Sequence, residues 1–99
     1  MLSTKVSKET IASNTVKNGT LASGAVAAQI SGLPLDLKMG AIVMAPATNS
    51  AAVFLGDSNV ATGTGFPLVA GAAVILPVEE LKGLYAVSVA AQTLNWLGY

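Results

Sequence analysis

The chain has 99 residues, with five Lys balancing five Asp or Glu and no His, Cys or Arg, so its formal charge is zero. That length allows one domain, and only 10% of the residues are charged, against roughly 25% in an average soluble domain. Hydrophobic residues reach 53%, with 17 alanines making up much of the excess, which excludes a disordered tail, while the missing cysteines exclude a disulfide scaffold and the absent positive excess excludes an electrostatic nucleic-acid binder.

A neutral, apolar chain of this size has little polar surface with which to stay monomeric, because nothing repels neighbouring copies. An obligate homo-oligomer is expected. A membrane is not the expected cover: the uncharged stretches 39–56 and 58–78 are broken by Pro46, Asn49, Gly63, Gly65, Pro67, Gly71 and Pro77, whereas a spanning helix needs about 20 predominantly apolar residues. No secretory leader is expected either, since Lys5 and Lys8 are followed by Glu9 and a Ser/Thr/Asn run instead of an apolar core. Synthesis in the cytoplasm is the corresponding expectation.

In chain order, the larger apolar residues first fall every fifth place, at Val6, Ile11, Val16, Leu21 and Val26. Five is the period of neither a strand nor a helix. Two readings stand: an extended arm, 1–32, whose spaced side chains dock on a neighbouring subunit, or chance spacing in a loosely ordered terminus. A pentapeptide β-helix fits less well, because five turns are few and the residue two places before each apolar position is inconsistent, Glu9, Asn14 and then Gly19, where a small one should recur. The domain proper is then expected over 33–99.

From Leu33 the alternation Leu33, Leu35, Leu37, Met39 predicts a strand with one buried face, placed at an edge by Pro34. The runs 41–45 and 51–55, closed by Pro46 with Thr48-Asn49-Ser50 and by Gly56-Asp57-Ser58-Asn59, read as further strands, and 61–67 reads as loop. Residues 72–78 give another strand with Pro77 at an edge or bulge. Residues 79–83 are a polar turn, with room for one turn of 3₁₀ helix. Tyr85, Val87 and Val89 share one strand face, and a return over 93–97, with Leu94 and Trp96 on a common face, completes an expected hairpin. Several short strands with frequent turns predict an all-β fold, a small β-sandwich or jelly-roll-like barrel with an extended N-terminal arm.

Chemistry is sparse. Without His or Cys, the common metal sites, cysteine nucleophiles and Ser-His-Asp triads cannot be built. Asp57 lacks the acidic partners that a calcium loop places at alternate positions, and a turn capped by its side chain is the preferred reading. Glu79 and Glu80 are adjacent, so on a strand they would point to opposite faces. Gly63-Thr64-Gly65 lacks the rest of a phosphate loop, and Asn18-Gly19-Thr20 matches a glycosylation acceptor without a leader to give it meaning. The five aromatics, Phe54, Phe66, Tyr85, Trp96 and Tyr99, are not interleaved with basic residues, which points to core or interface anchors instead of a base-stacking platform.

Residues 47–99 can be compared as a unit. Asn49-Ser50, Val53-Phe54-Leu55-Gly56-Asp57-Ser58, Gly65-Phe66-Pro67-Leu68, Gly71 before an apolar strand, Val78-Glu79-Glu80-Leu81, Leu84-Tyr85-Ala86-Val87 and Gln92 to Gly98 follow one another in an order that resembles a module of small tailed-bacteriophage virion structural proteins of the capsid decoration or cement type. Ala91 stands where a glycine commonly precedes the Gln of the last hairpin, which bears only on the turn type. The resemblance implies a β-sandwich assembled repeatedly on a virion, with no catalysis. The expected protein is a trimeric decoration (cement) protein that stabilises the head, with the major capsid protein as partner. The alternatives are a tail, baseplate or fibre-associated component, or a carbohydrate- or host-surface-binding β module. No enzyme activity, cofactor, metal, nucleic acid or membrane partner is expected. The expected capsid or subunit contacts are Val6, Ile11, Val16, Leu21, Val26, Trp96 and Tyr99.

Overall fold

Apolar runs of four or five residues, each closed by Gly, Pro, Asn or Ser, are too short for stable helices, and among the described residues none forms. The structure is a computed structural model that describes residues 16–99. Within them eight strands appear: β1 (Lys17–Ser23), β2 (Ala28–Gln29), β3 (Ala41–Met44), β4 (Val53–Gly56), β5 (Phe66–Leu68), β6 (Ala73–Leu76), β7 (Tyr85–Val87) and β8 (Gln92–Gly98). They build two four-stranded antiparallel sheets, sheet A in the order β1-β8-β3-β6 and sheet B in the order β2-β7-β4-β5. The chain is an all-β sandwich.

The pairings are nested. β4 pairs with β5, β3 with β6, β2 with β7 and β1 with β8, as if one long hairpin bent at the β4–β5 turn had been rolled up. Rolling then brings β3 beside β8 and β4 beside β7. This is jelly-roll connectivity, which buries the middle of each sheet and leaves β1, β2, β5 and β6 at the edges.

Alternation along each strand sends one set of side chains between the sheets. Val43 of β3, Leu94 and Trp96 of β8 and Val53 and Leu55 of β4 are buried there, joined by Leu35, Leu37 and Leu81 from connecting segments. The sheet closes tightly around Trp96. Gly19 lies opposite it on β1, and a Cβ at that position would stand 2.6 Å from the indole nitrogen.

Four sequence expectations change. The boundary at 32 falls inside the sandwich: β1 contributes seven registered residues to sheet A and β2 joins sheet B, so at least 17–32 belongs to the fold and not to an arm. Val6 and Ile11 lie outside the described residues. The expected hairpin over 85–97 does not form either, because β7 belongs to sheet B and β8 to sheet A; residues 88–91 arch between the sheets. Over residues 33–39 only Leu35 and Leu37 are buried, Leu33 and Met39 are exposed, and no strand forms there. Asp36 takes a left-handed φ of 51° that breaks the extended run. Phe66 and Pro67, read as loop, begin β5.

Candidate interaction surface

Antiparallel connectivity sorts the loops into two ends. Segments 24–27, 45–52, 69–72 and 88–91 lie at one end, and 30–40, 57–65 and 77–84 at the other, where β1 begins and β8 finishes. The charges sort with them. Lys17, Asp36, Lys38, Asp57, Glu79, Glu80 and Lys82, all the charged residues within 16–99, sit at the second end, and the first end carries none.

The charged end is held by its own polar groups. The Glu80 carboxylate accepts the Leu35 and Asp36 N–H groups at 2.9 and 3.0 Å, and these two bonds hold its carboxyl below the usual glutamate value. The Lys17 ammonium donates to the Leu35 carbonyl at 2.7 Å. The Tyr99 carbonyl accepts N–H groups from Lys38, Met39 and Gly40. Asp57 caps its own turn by accepting the Asn59 N–H at 2.9 Å, the role expected of it.

The uncharged end is stitched without ions. Met44 faces Asn95 at the end of β3, so the next ladder partner of Thr93 would be Pro46, which has no N–H. Asn49 takes its place: its side-chain amide donates to the Thr93 carbonyl at 2.8 Å and accepts the Thr93 N–H at 3.0 Å. Buried Gln92 accepts the Ser50 N–H and donates to the Ser50 hydroxyl. On the other side Ser88 donates its N–H to the Gly24 carbonyl and its hydroxyl reaches that of Ser23. Half of the residues in these four loops are alanine. Val26, Val69 and Val89 project from three of them, 80, 58 and 73% exposed.

A second apolar region lies along β6. Its outward row continues across sheet A as Ile75, Ile42 and Leu97, with Met44 and Ala73 in the next row, and a depression of about 190 Å³ runs between β3 and β8 there. Around the edge, a groove of about 330 Å³ lined by Leu55, Phe66, Val74, Leu76 and Leu84 opens between β6 and sheet B. Ile75 is 66% exposed.

The expected contact residues are dispersed. Val16 is exposed at the charged end and Val26 at the uncharged end, while Leu21 between them faces inward and packs on the core. The three do not form one docking ridge. Trp96 is a core residue, 6% exposed, and not a surface contact or glycan platform. Tyr99 serves the charged end through its backbone. Val69, Val89 and Ile75 are not among the contacts expected from sequence, where Val89 reads as part of a strand face with Tyr85 and Val87, because only the strand connectivity shows which loops share an end and which strand lies at an edge. Among the described residues no three His, Cys, Asp or Glu stand close enough to hold a metal ion, and no helix is long and apolar enough to cross a membrane. Set against protein-family models, curated proteins and solved structures, the chain matches none.

Proposed function

We propose that the protein is a structural component of a tailed-bacteriophage virion, a decoration (cement) protein that attaches as a homo-oligomer to the major capsid protein through its uncharged end. The resemblance of residues 47–99 supports this reading. The jelly roll is compatible with it but does not select it, since viral capsid domains, lectins and cupins share that architecture.

The observation that carries the proposal is the segregation of charge. Burying an ionised group against a protein partner is costly unless it is paired, whereas Ala, Gly and Val loops lose little solvation and almost no rotamer entropy when covered. The uncharged end is therefore built for permanent contact and the charged end for water. Magnitude then bears on oligomeric state. Three partly exposed valines supply on the order of 1 to 2 kcal/mol each on burial, which falls short of or barely meets an association cost of about 4 to 15 kcal/mol. One copy alone binds weakly. Linking copies makes the second contact intramolecular and raises avidity without new chemistry.

Quantitative mass spectrometry of purified virions tests the proposal. A copy number in proportion to the capsid subunits is expected, with Val26→Lys and Val89→Lys lowering it while leaving the fold intact. Absence from the particle, or a copy number of a tail part, contradicts it.

A further inference from the structure

We propose that the chain forms a two-fold dimer in which β6 pairs antiparallel with β6 of a second copy, the axis passing beside Val74. This supplies the homo-oligomer that the proposed function calls for, and its test uses purified protein alone, so each can fail without the other.

An unpaired sheet edge invites a strand, and proteins usually blunt such edges with charge, proline or brevity. The other edges of this sandwich are blunted. β1 begins at Lys17 and turns Asn18 and Thr20 outward, β2 has two residues, and β5 contains Pro67. β6, Ala73-Val74-Ile75-Leu76, has no charge and no proline. Among the described residues no strand pairs with its outer side, and its free backbone groups can be assigned. The Ala45 N–H donates to the Ala72 carbonyl, and bonding alternates along an antiparallel ladder. Val74 and Leu76 therefore turn to β3, and Ala73 and Ile75 turn their N–H and C=O groups to the open side.

The occupant follows from self-complementarity, which a two-fold contact requires. With the axis beside Val74, Ala73 of one copy faces Ile75 of the other, and Ile75 faces Ala73. These are the residues with free backbone groups, so four N–H to C=O bonds form. The side chains fit as well, because each isoleucine lies beside an alanine and, one position further out, each Leu76 lies beside an Ala72. Shifting the axis to Ile75 would set the two isoleucines against each other and bring Pro77, which has no N–H, into the ladder. The apolar groove and Phe66, 57% exposed, flank β6 and are covered in the same step. A standard interface takes about 800 Å² from each partner, roughly one seventh of the 5781 Å² exposed here. The dimer carries a continuous eight-stranded sheet and directs its two uncharged ends to opposite poles, which suits a clasp between neighbouring capsid subunits.

The chain has no cysteine, so single cysteine variants report cleanly. Across the axis Val74 forms a non-hydrogen-bonded pair with Cα atoms about 4.5 Å apart, inside the disulfide range of about 4.4 to 6.8 Å. Oxidised Val74→Cys is expected to run at twice the 9.9 kDa chain mass, while Ile75→Cys, facing Ala73, stays uncross-linked. In sedimentation the parent protein is expected to be a dimer and Ile75→Lys, at an exposed position, a folded monomer by circular dichroism. A monomeric or trimeric parent, an Ile75→Lys variant that still dimerises, or cross-linking through position 75 instead of 74 would overturn the proposal.

Discussion

At the scale of single residues, the tightest constraint in the sandwich is the contact between Gly19 and Trp96. The indole lies over the glycine of the neighbouring strand, the arrangement in which an aromatic ring shields a residue without a side chain. A methyl group there would push the ring out of the core, and forced repacking of this kind costs about 1 to 3 kcal/mol. Gly19→Ala is therefore expected to lower the urea midpoint, and the fluorescence of the single tryptophan should shift toward that of a wetter indole. An unchanged midpoint would mean that the ring has room to move. The inward face shared by Leu94 and Trp96 was legible from their spacing, because period-two alternation is a local property. The role of Gly19 was not, since its partner lies 77 positions along the chain. Asn49-Ser50 and Gln92 stood out through the resemblance. Their physical basis, side chains replacing a ladder that Pro46 interrupts, depends on the register of β3 with β8.

At the scale of elements, sequence reasoning placed the central strand β3 most closely, and it misplaced the edge strands β1, β2 and β5 together with the segments 33–39 and 88–91 at the ends of the sandwich. Leu35 and Leu37 are buried because they plug the charged end, not because a neighbouring strand pairs with them, and Leu33 and Met39 on the same sequence period are exposed. The 88–91 connection is short enough for a hairpin, yet Val87 and Ser88 are both buried in succession, which marks the chain leaving one sheet for the other. Glu80 holds the 33–40 segment through the Leu35 and Asp36 N–H groups. Its carboxyl is held below the usual glutamate value in the folded protein, first by the Leu35 bond and then by the Asp36 bond. A depressed folded-state value means that stabilisation is complete above the unfolded-state value and is lost as pH falls through the folded one. Thermal unfolding of Glu80→Gln is expected to fall below that of the parent at neutral pH, the gap closing as pH drops through the acid range. A gap independent of pH would assign the loss to packing instead of to the carboxylate.

At the scale of the whole molecule, the distinction that matters is between two ends of one sandwich. Composition made the shortage of charge plain and with it the expectation of a partner, but where the remaining charges gather depends on which loops the jelly roll brings together. The spaced residues Val16, Leu21 and Val26 looked like one docking ridge in the sequence, and β1 separates them onto two ends and a core. In the proposed reading connectivity sets the use of each surface: an uncharged end for attachment, a charged end for solvent and an apolar edge strand for a second copy. Hydrogen exchange of the protein free and bound to virions tests this division most directly. Slowed exchange confined to 24–27, 45–52, 69–72 and 88–91, with 30–40, 57–65 and 77–84 unchanged, is the predicted result. Protection of the charged loops instead, or equal exchange in both states, would contradict it.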